Sequence, residues 1–181
     1  MNVKDHFELL ARYNQTMNSA IYQAASRLPA GDLVEHRCAF FGSILGTLNH
    51  IVVGDTIWLQ RFSGHPSSPA CLRDLAELPS PTRLDQILFE DLDRLREHRT
   101  WLDRQIISWI SELTAADLDS LFSFHSMKGI PSSKRFSRVI LHFFNHQTHH
   151  RGQVSTLLTQ AGVDVGVTDL LVMVPEEGPQ A

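Results

Sequence analysis

The chain has 181 residues, 43% hydrophobic and 20% charged, which fits one globular domain and rules out disorder as a description of the whole. Its formal net charge is -4, from 16 basic and 20 acidic residues, so it lacks the Lys/Arg excess that a nucleic-acid binder needs. Two cysteines, Cys38 and Cys71, lie far apart without a CxxC pair, which argues against a disulfide framework or a thiolate zinc site and fits a reducing cytoplasm. The N-terminal residues carry Lys4, Asp5, His6 and Glu8 where a signal peptide would have an apolar core. No run reaches the roughly 18 apolar residues of a membrane span. The expectation is a cytoplasmic protein with neither a nucleic-acid nor a membrane partner.

The first predicted helix covers about Val3 to Leu28. Phe7, Leu10, Ala11, Met17, Ile21, Ala24 and Leu28 recur at the spacing of one helical face. Asn2 is placed to cap it, and Pro29, Gly31 and Asp32 stop it. A second helix is predicted from Arg37 to Phe62, with Phe41, Ile44, Leu45, Leu48, Val52, Leu59 and Phe62 on one face. Its opposite face, Gly42, Gly46, Val53 and Gly54, is also non-polar, as in a helix buried on both sides. That double face is more than one bundle easily covers, so a homodimer is expected.

Gly64, Pro66, Pro69, Pro79 and Pro81 then punctuate a long crossover connection from Ser63 to Pro81. A third helix is predicted from Thr82 to Leu113. Its stripe of Leu88, Leu92, Leu95, Leu102, Ile106, Trp109 and Leu113 is interrupted only by Arg99. Thr82 with Asp85 three residues on resembles a capping box. The stretch Asp117 to Ser133 reads as a short hairpin or an irregular loop. A fourth long helix, Ser133 to Gly162, follows, with Gly162 as its stop. The fold class is therefore all-α: a four-helix bundle with one long crossover loop and room for one short β-hairpin. It forms a single domain over residues 1–175, with a frayed tail over 176–181.

Ten histidines stand out, and His142, His146, His149 and His150 fall close together in the fourth helix. His146 and His150 are four apart and share an arc with Val139, Phe143, Val154, Leu157 and Gln153. Two imidazoles at that spacing face one metal ion from one side of a helix. Buried together without a partner they would leave ring nitrogens unsatisfied, at a cost in energy. His142 continues the line one turn earlier, while His149 points about 100° away. A third ligand must come from elsewhere, among His6, His36, His50, His65, His98 and His125. His50 has Gly46 and Gly54 one turn to either side, which would let an ion or another helix approach. The string His146-Gln147-Thr148-His149-His150 puts a neutral amide where HExxH metalloproteases carry their glutamate base, so that chemistry is disfavoured.

The segment Asn145-His146-Gln147-Thr148-His149-His150-Arg151-Gly152-Gln153 resembles the closing motif of the DinB/YfiT-like family. Leu48-Asn49-His50-Ile51, followed by Asp55 and Trp58, resembles that family's second-helix motif. Leu10-Ala11-Arg12-Tyr13-Asn14 and Leu28-Pro29 are similar to its first helix. The resemblance implies an up-up-down-down bundle that holds a divalent metal through three histidines, here His50, His146 and His150. It also brings in relatives that are thiol-dependent transferases or isomerases, and relatives that form pairs.

Three neutral imidazoles leave the ion its charge and an open position, which suits catalysis better than structural closure. The expected function is a metal-dependent hydrolase or low-molecular-weight-thiol transferase acting on a small molecule, with zinc or nickel as the cofactor. His142 and Gln153 are the candidates for orienting ligands or substrate. Asp55 and Glu90 are the carboxylates on offer as a base. The competing expectation is a non-catalytic metal- or ligand-binding protein in which the ion ties two helices together.

Overall fold

The structure is a computed structural model and describes residues 2–67, 70–176 and 178. Helix α1 spans Val3–Ala25 and opens with a capping box, in which Asn2 accepts from the Asp5 backbone and Asp5 accepts from that of Asn2. A short α2, Ala30–Val34, leads into a folded-back loop and then α3, Ile44–Phe62. The predicted start at Arg37 gives way because Cys38 and Gly42 take positive φ values of 52° and 77°, which no helix accommodates. Ser43 caps α3 by accepting from the Gly46 amide. The Phe41 carbonyl lies where a Cβ on Gly46 would be, so this return of the chain requires glycine there.

The crossover holds a 3-10 turn at Ala70–Leu72 and a single-turn α4, Arg73–Ala76. Helix α5 then runs over Leu92–Glu112, capped by the Asp91 side chain, ten residues later than the spacing suggests. The Thr82 box does not form: the Thr82 amide donates to Gln86, and Asp85 pairs with Arg83 instead. The cause is tertiary. Buried Asn49 of α3 accepts from the Leu88 and Phe89 amides at 2.8 and 3.0 Å and donates to the Phe89 carbonyl at 2.9 Å. Those backbone groups are thereby withdrawn from any helix.

After α6, Ala115–Asp119, the ambiguous stretch proves to be a hairpin of β1, Leu121–His125, with β2, Pro131–Arg135, antiparallel and with Phe124 opposite Ser132. Helix α7, Phe136–Gln160, therefore starts three residues later than expected. It ends at Gly162, at φ 80°, with Val163 donating to Leu158 and Gly162 to Thr159. The expected frayed tail over 176–181 lies, apart from residues 176 and 178, outside the described residues.

Helices α1, α3, α5 and α7 form the bundle. Phe7 stacks on Phe144, and Arg151 donates to Asn14, so α1 and α7 run the same way. Asp55 and Phe62 of α3 meet Arg99 and Trp109 of α5, so those two are also parallel. His50 meets His150 while Phe62 meets Phe136, which sets α3 against α7. In chain order the helices run up-down-down-up, in place of the up-up-down-down order that the resemblance implies. The bundle, the long crossover and the hairpin stand as expected.

The core closes around Phe62, Trp109, Phe136 and Phe143 at one end, all at most 1% exposed. His50, His146 and His150 lie further along the seam between α3 and α7. Both faces of α3 are buried within this one chain, every residue from Ile44 to Ile57 included. The apolar second face is thus covered by the chain's own segments.

Candidate metal centre

Three imidazoles from two helices converge. The Nε2 atom of His50, on α3, lies 3.2 Å from Nε2 of His146 and 3.1 Å from Nε2 of His150, both on α7. Together they are the one group of histidine, cysteine or acidic side chains among the described residues placed to share an ion, with ligand atoms within 4.8 Å of one another. Two nitrogens about 2.0–2.1 Å from a zinc ion at tetrahedral angles stand roughly 3.3 Å apart, and at right angles roughly 3.0 Å. The observed separations lie in that interval.

Neighbouring groups fix the tautomers. His50 Nδ1 lies 2.8 Å from the Leu84 carbonyl, which only accepts, so the ring proton is on Nδ1 and Nε2 carries a lone pair. His150 Nδ1 lies 2.8 Å from Gln153 Oε1, while the amide nitrogen of Gln153 is turned to His149 at 3.3 Å. The His150 proton is therefore also on Nδ1. Two lone pairs face each other across 3.1 Å, an arrangement that a shared cation satisfies.

A shared proton does not fill that role near neutral pH. Burial lowers the His50 pKa to about 4, with the His150 ring adding to the effect. Burial, reinforced by the neighbouring histidines, lowers His146 to about 3, and burial lowers His150 as well. All three rings are neutral at pH 7, the state in which imidazole ligates metal.

The supporting residues come from unexpected places. Phe41, delivered by the loop that precedes α3, stacks on His50 at 3.7 Å between ring centres and 15° between planes. A Cβ on Gly54 would sit 2.7 Å from His146 Cε1, so this glycine makes the room in which His146 reaches the centre. Of the two glycines flanking His50, only Gly54 serves the imidazoles; Gly46 serves the capping loop. Nothing in the sequence signals the Leu84 carbonyl, because a backbone acceptor carries no side-chain signature.

The remaining candidates divide. Gln153 contacts a converging histidine directly. His142 does not: its ring centre is 6.2 Å from that of His146, and it packs edge-on to Trp58. His149 is exposed and meets Gln153. His65 lies in the crossover against Ser120, and its ring stacks on Phe136. Asp55 is fully buried and accepts from Arg99 and from Gln147 at 2.7 Å, so it belongs to the bundle interior. Glu90 is exposed beside the N-terminus of α5. No carboxylate joins the histidines among the described residues.

Gln147, next in sequence to His146, thus points inward while the histidines point out. It joins a ladder in which Arg99 pairs with Asp55 and with Asp103 at 2.9 Å, and Asp103 accepts from Asn14 and Asn18 at 3.2 and 2.9 Å. Burial works against the Arg99 charge, but Asp103 and Asp55 outweigh it and hold its pKa above the ordinary arginine value.

A bundle whose last helix and second long helix share three neutral imidazoles defines a histidine-clustered helical protein with the donor set of a divalent-metal site. The profile of the DinB family matches residues 1–178, and the chain belongs to that family. It is similar to Protein DinB of Bacillus subtilis (strain 168), at 25% identity over 160 residues that cover 88% of each chain. No solved structure gives a significant match.

Proposed function

We propose that this chain binds a divalent ion, zinc or nickel, through His50, His146 and His150, and that the centre is catalytic, acting on a small molecule as a hydrolase or a low-molecular-weight-thiol transferase. The observation that carries the reading is the pair of facing lone pairs on His50 and His150. Such an ion, when bound, lowers the pKa of a coordinated water or thiol and so supplies a nucleophile near neutral pH. The chain's own residues do the positioning. The Leu84 carbonyl and Gln153 Oε1 hold the His50 and His150 tautomers, and Phe41 and Gly54 fix where the rings stand.

One observation favours a second reading, a non-catalytic ion that ties α3 to α7: among the described residues no carboxylate stands beside the histidines to act as a base. A single experiment separates the two. Protein purified without a histidine tag is analysed for metal, stripped, reloaded and assayed for turnover of thiol conjugates. Turnover that returns with the ion supports the enzyme. A metal-dependent rise in melting temperature with no turnover supports the structural ion.

A further inference from the structure

Trp58 and Arg61 lie four and seven residues after Gly54 on α3, and His142 lies four before His146 on α7. These steps keep each set on the same helical face as its histidines. Because α3 and α7 are antiparallel, the two sets make one strip that leads away from the centre along the helix seam. Its members touch in order. His142 stands 6.2 Å from His146, Trp58 5.4 Å from His142, and the Arg61 guanidinium 4.7 Å from the Trp58 ring centre. Phe124 of the hairpin closes the far end, 5.2 Å from Trp58 and 5.6 Å from Arg61.

Among the described residues several exposed arginines have no carboxylate partner, but Arg61 lacks one while half-buried. Arg37, Arg96, Arg99 and Arg135 each pair with a carboxylate. Arg61 is half-buried against two aromatic rings, and among the described residues its guanidinium meets no carboxylate and no other protein acceptor. Stacking occupies the faces of a guanidinium and leaves its edge N–H groups directed outward in the fork that matches a carboxylate. Partial burial, which lowers its pKa, makes that positive charge expensive without an anion beside it.

We propose that Arg61 is a substrate-docking residue, and that the centre acts on elongated molecules whose carboxylate pairs with Arg61 while an apolar body lies across Trp58. The inference rests on the metal reading above. At helical rise, Arg61 is about 16 Å along α3 from His50, which sets the scale of the molecule. A compact substrate would not bridge the two.

The test uses full-length protein loaded with cobalt, whose thiolate charge-transfer band reports binding without any turnover. The probes are ω-mercaptoalkanoates of graded chain length and the matching ω-mercaptoalkanols. At chain lengths that span the strip, the carboxylate should bind about tenfold more tightly than the alcohol, and at short lengths equally. Arg61→Met, which keeps an apolar stem over Trp58, should erase the difference and leave alkanol binding and cobalt content unchanged. Arg61→Lys should restore part of it. Equal binding of acid and alcohol at every length, or an acid preference that survives Arg61→Met, would overturn the proposal while leaving the metal centre intact. Failure to take up cobalt, or the absence of a thiolate band with any probe, would overturn the metal reading, and the docking role would fall with it.

Discussion

Adjacent residues on the same two helices build opposite kinds of polar cluster. Gly54 and His146 belong to one, Asp55 and Gln147 to the other. In the interior, Asp55, Arg99 and Asp103 alternate in sign, and Asn14, Asn18 and Gln147 donate to the carboxylates. Opposite charges there compensate one another, although among the described residues Asp55 Oδ1, Arg99 Nε and Gln147 Oε1 find no hydrogen-bond partner. On the outer side of the same two helices, the acceptor nitrogens of His50 and His150 face each other, with their ring hydrogens committed to the Leu84 carbonyl and to Gln153. Complementary groups make a structural lock; like groups held together against their preference mark a place for a ligand. Burial alone does not separate the two, since His50 is as buried as Asp103, with His146 and His150 half-buried beside it. The sign of the neighbours does.

That contrast can be broken from either side. The largest effect on stability should come from Asp55→Ala, which takes one of its two carboxylate partners from the fully buried Arg99 charge. Breaking a buried pair in this way costs about 3–5 kcal/mol, measured as a shift in the denaturant midpoint. The histidine rings should still take up metal wherever the variant remains folded.

Next come the histidines themselves. Replacing His146 or His150 with Ala should weaken metal binding by more than the roughly 10–100-fold typical of a residue that only orients a ligand. The double variant should lose little more than either single one, because each disables the same centre. Titration with a chromogenic chelator measures both. His149→Ala should change the affinity far less. Gln153→Leu tests the orienting role directly: it should cost about tenfold in affinity and leave the stoichiometry unchanged. An unchanged affinity would remove Gln153 from the account.

The smallest effect concerns pH. His50 and His146 have folded-state pKa values near 4 and 3, below the 6.5 of a free imidazole. The unfolded chain therefore binds protons that the folded one refuses, so these rings' contribution to stability is present above pH 6.5 and is lost as pH falls towards 4. Metal-free protein should melt progressively lower across that window, and His146→Ala should flatten the slope. A slope of the same steepness in the variant would mean that other groups carry it.

Much of this was legible in the residues. Asn2 capped where expected, Gly162 stopped the last helix, and the four-residue step from His146 to His150 put both rings on one face. The DinB/YfiT-like motifs supplied His50, which spacing alone could not choose from the other histidines. Arg99 gave a partial signal. It interrupts an otherwise apolar stripe, and Asp103 four residues later and Asp55 in an apolar helix are its partners. A lone charge in a seam is a reason to look for acids at matching depth.

What stayed hidden depends on contacts distant in sequence. Residues 82–91 carry helical periodicity, yet Asn49 captures the Leu88 and Phe89 backbone and leaves the Leu84 carbonyl free to meet His50. Local propensity was overridden by one buried amide. The start of α3 was hidden in the same way, by a loop whose return places Phe41 on His50. Both departures from the predicted helices are segments that build the centre.

The most direct test is the metal content of folded, tag-free protein in three forms: the native chain, His50→Ala and His142→Ala. The account predicts one ion per native chain, loss of the ion in His50→Ala, and retention in His142→Ala, with circular dichroism showing all three helical. An ion retained by His50→Ala but lost by His142→Ala would contradict it, because the ligands would then run along α7 alone.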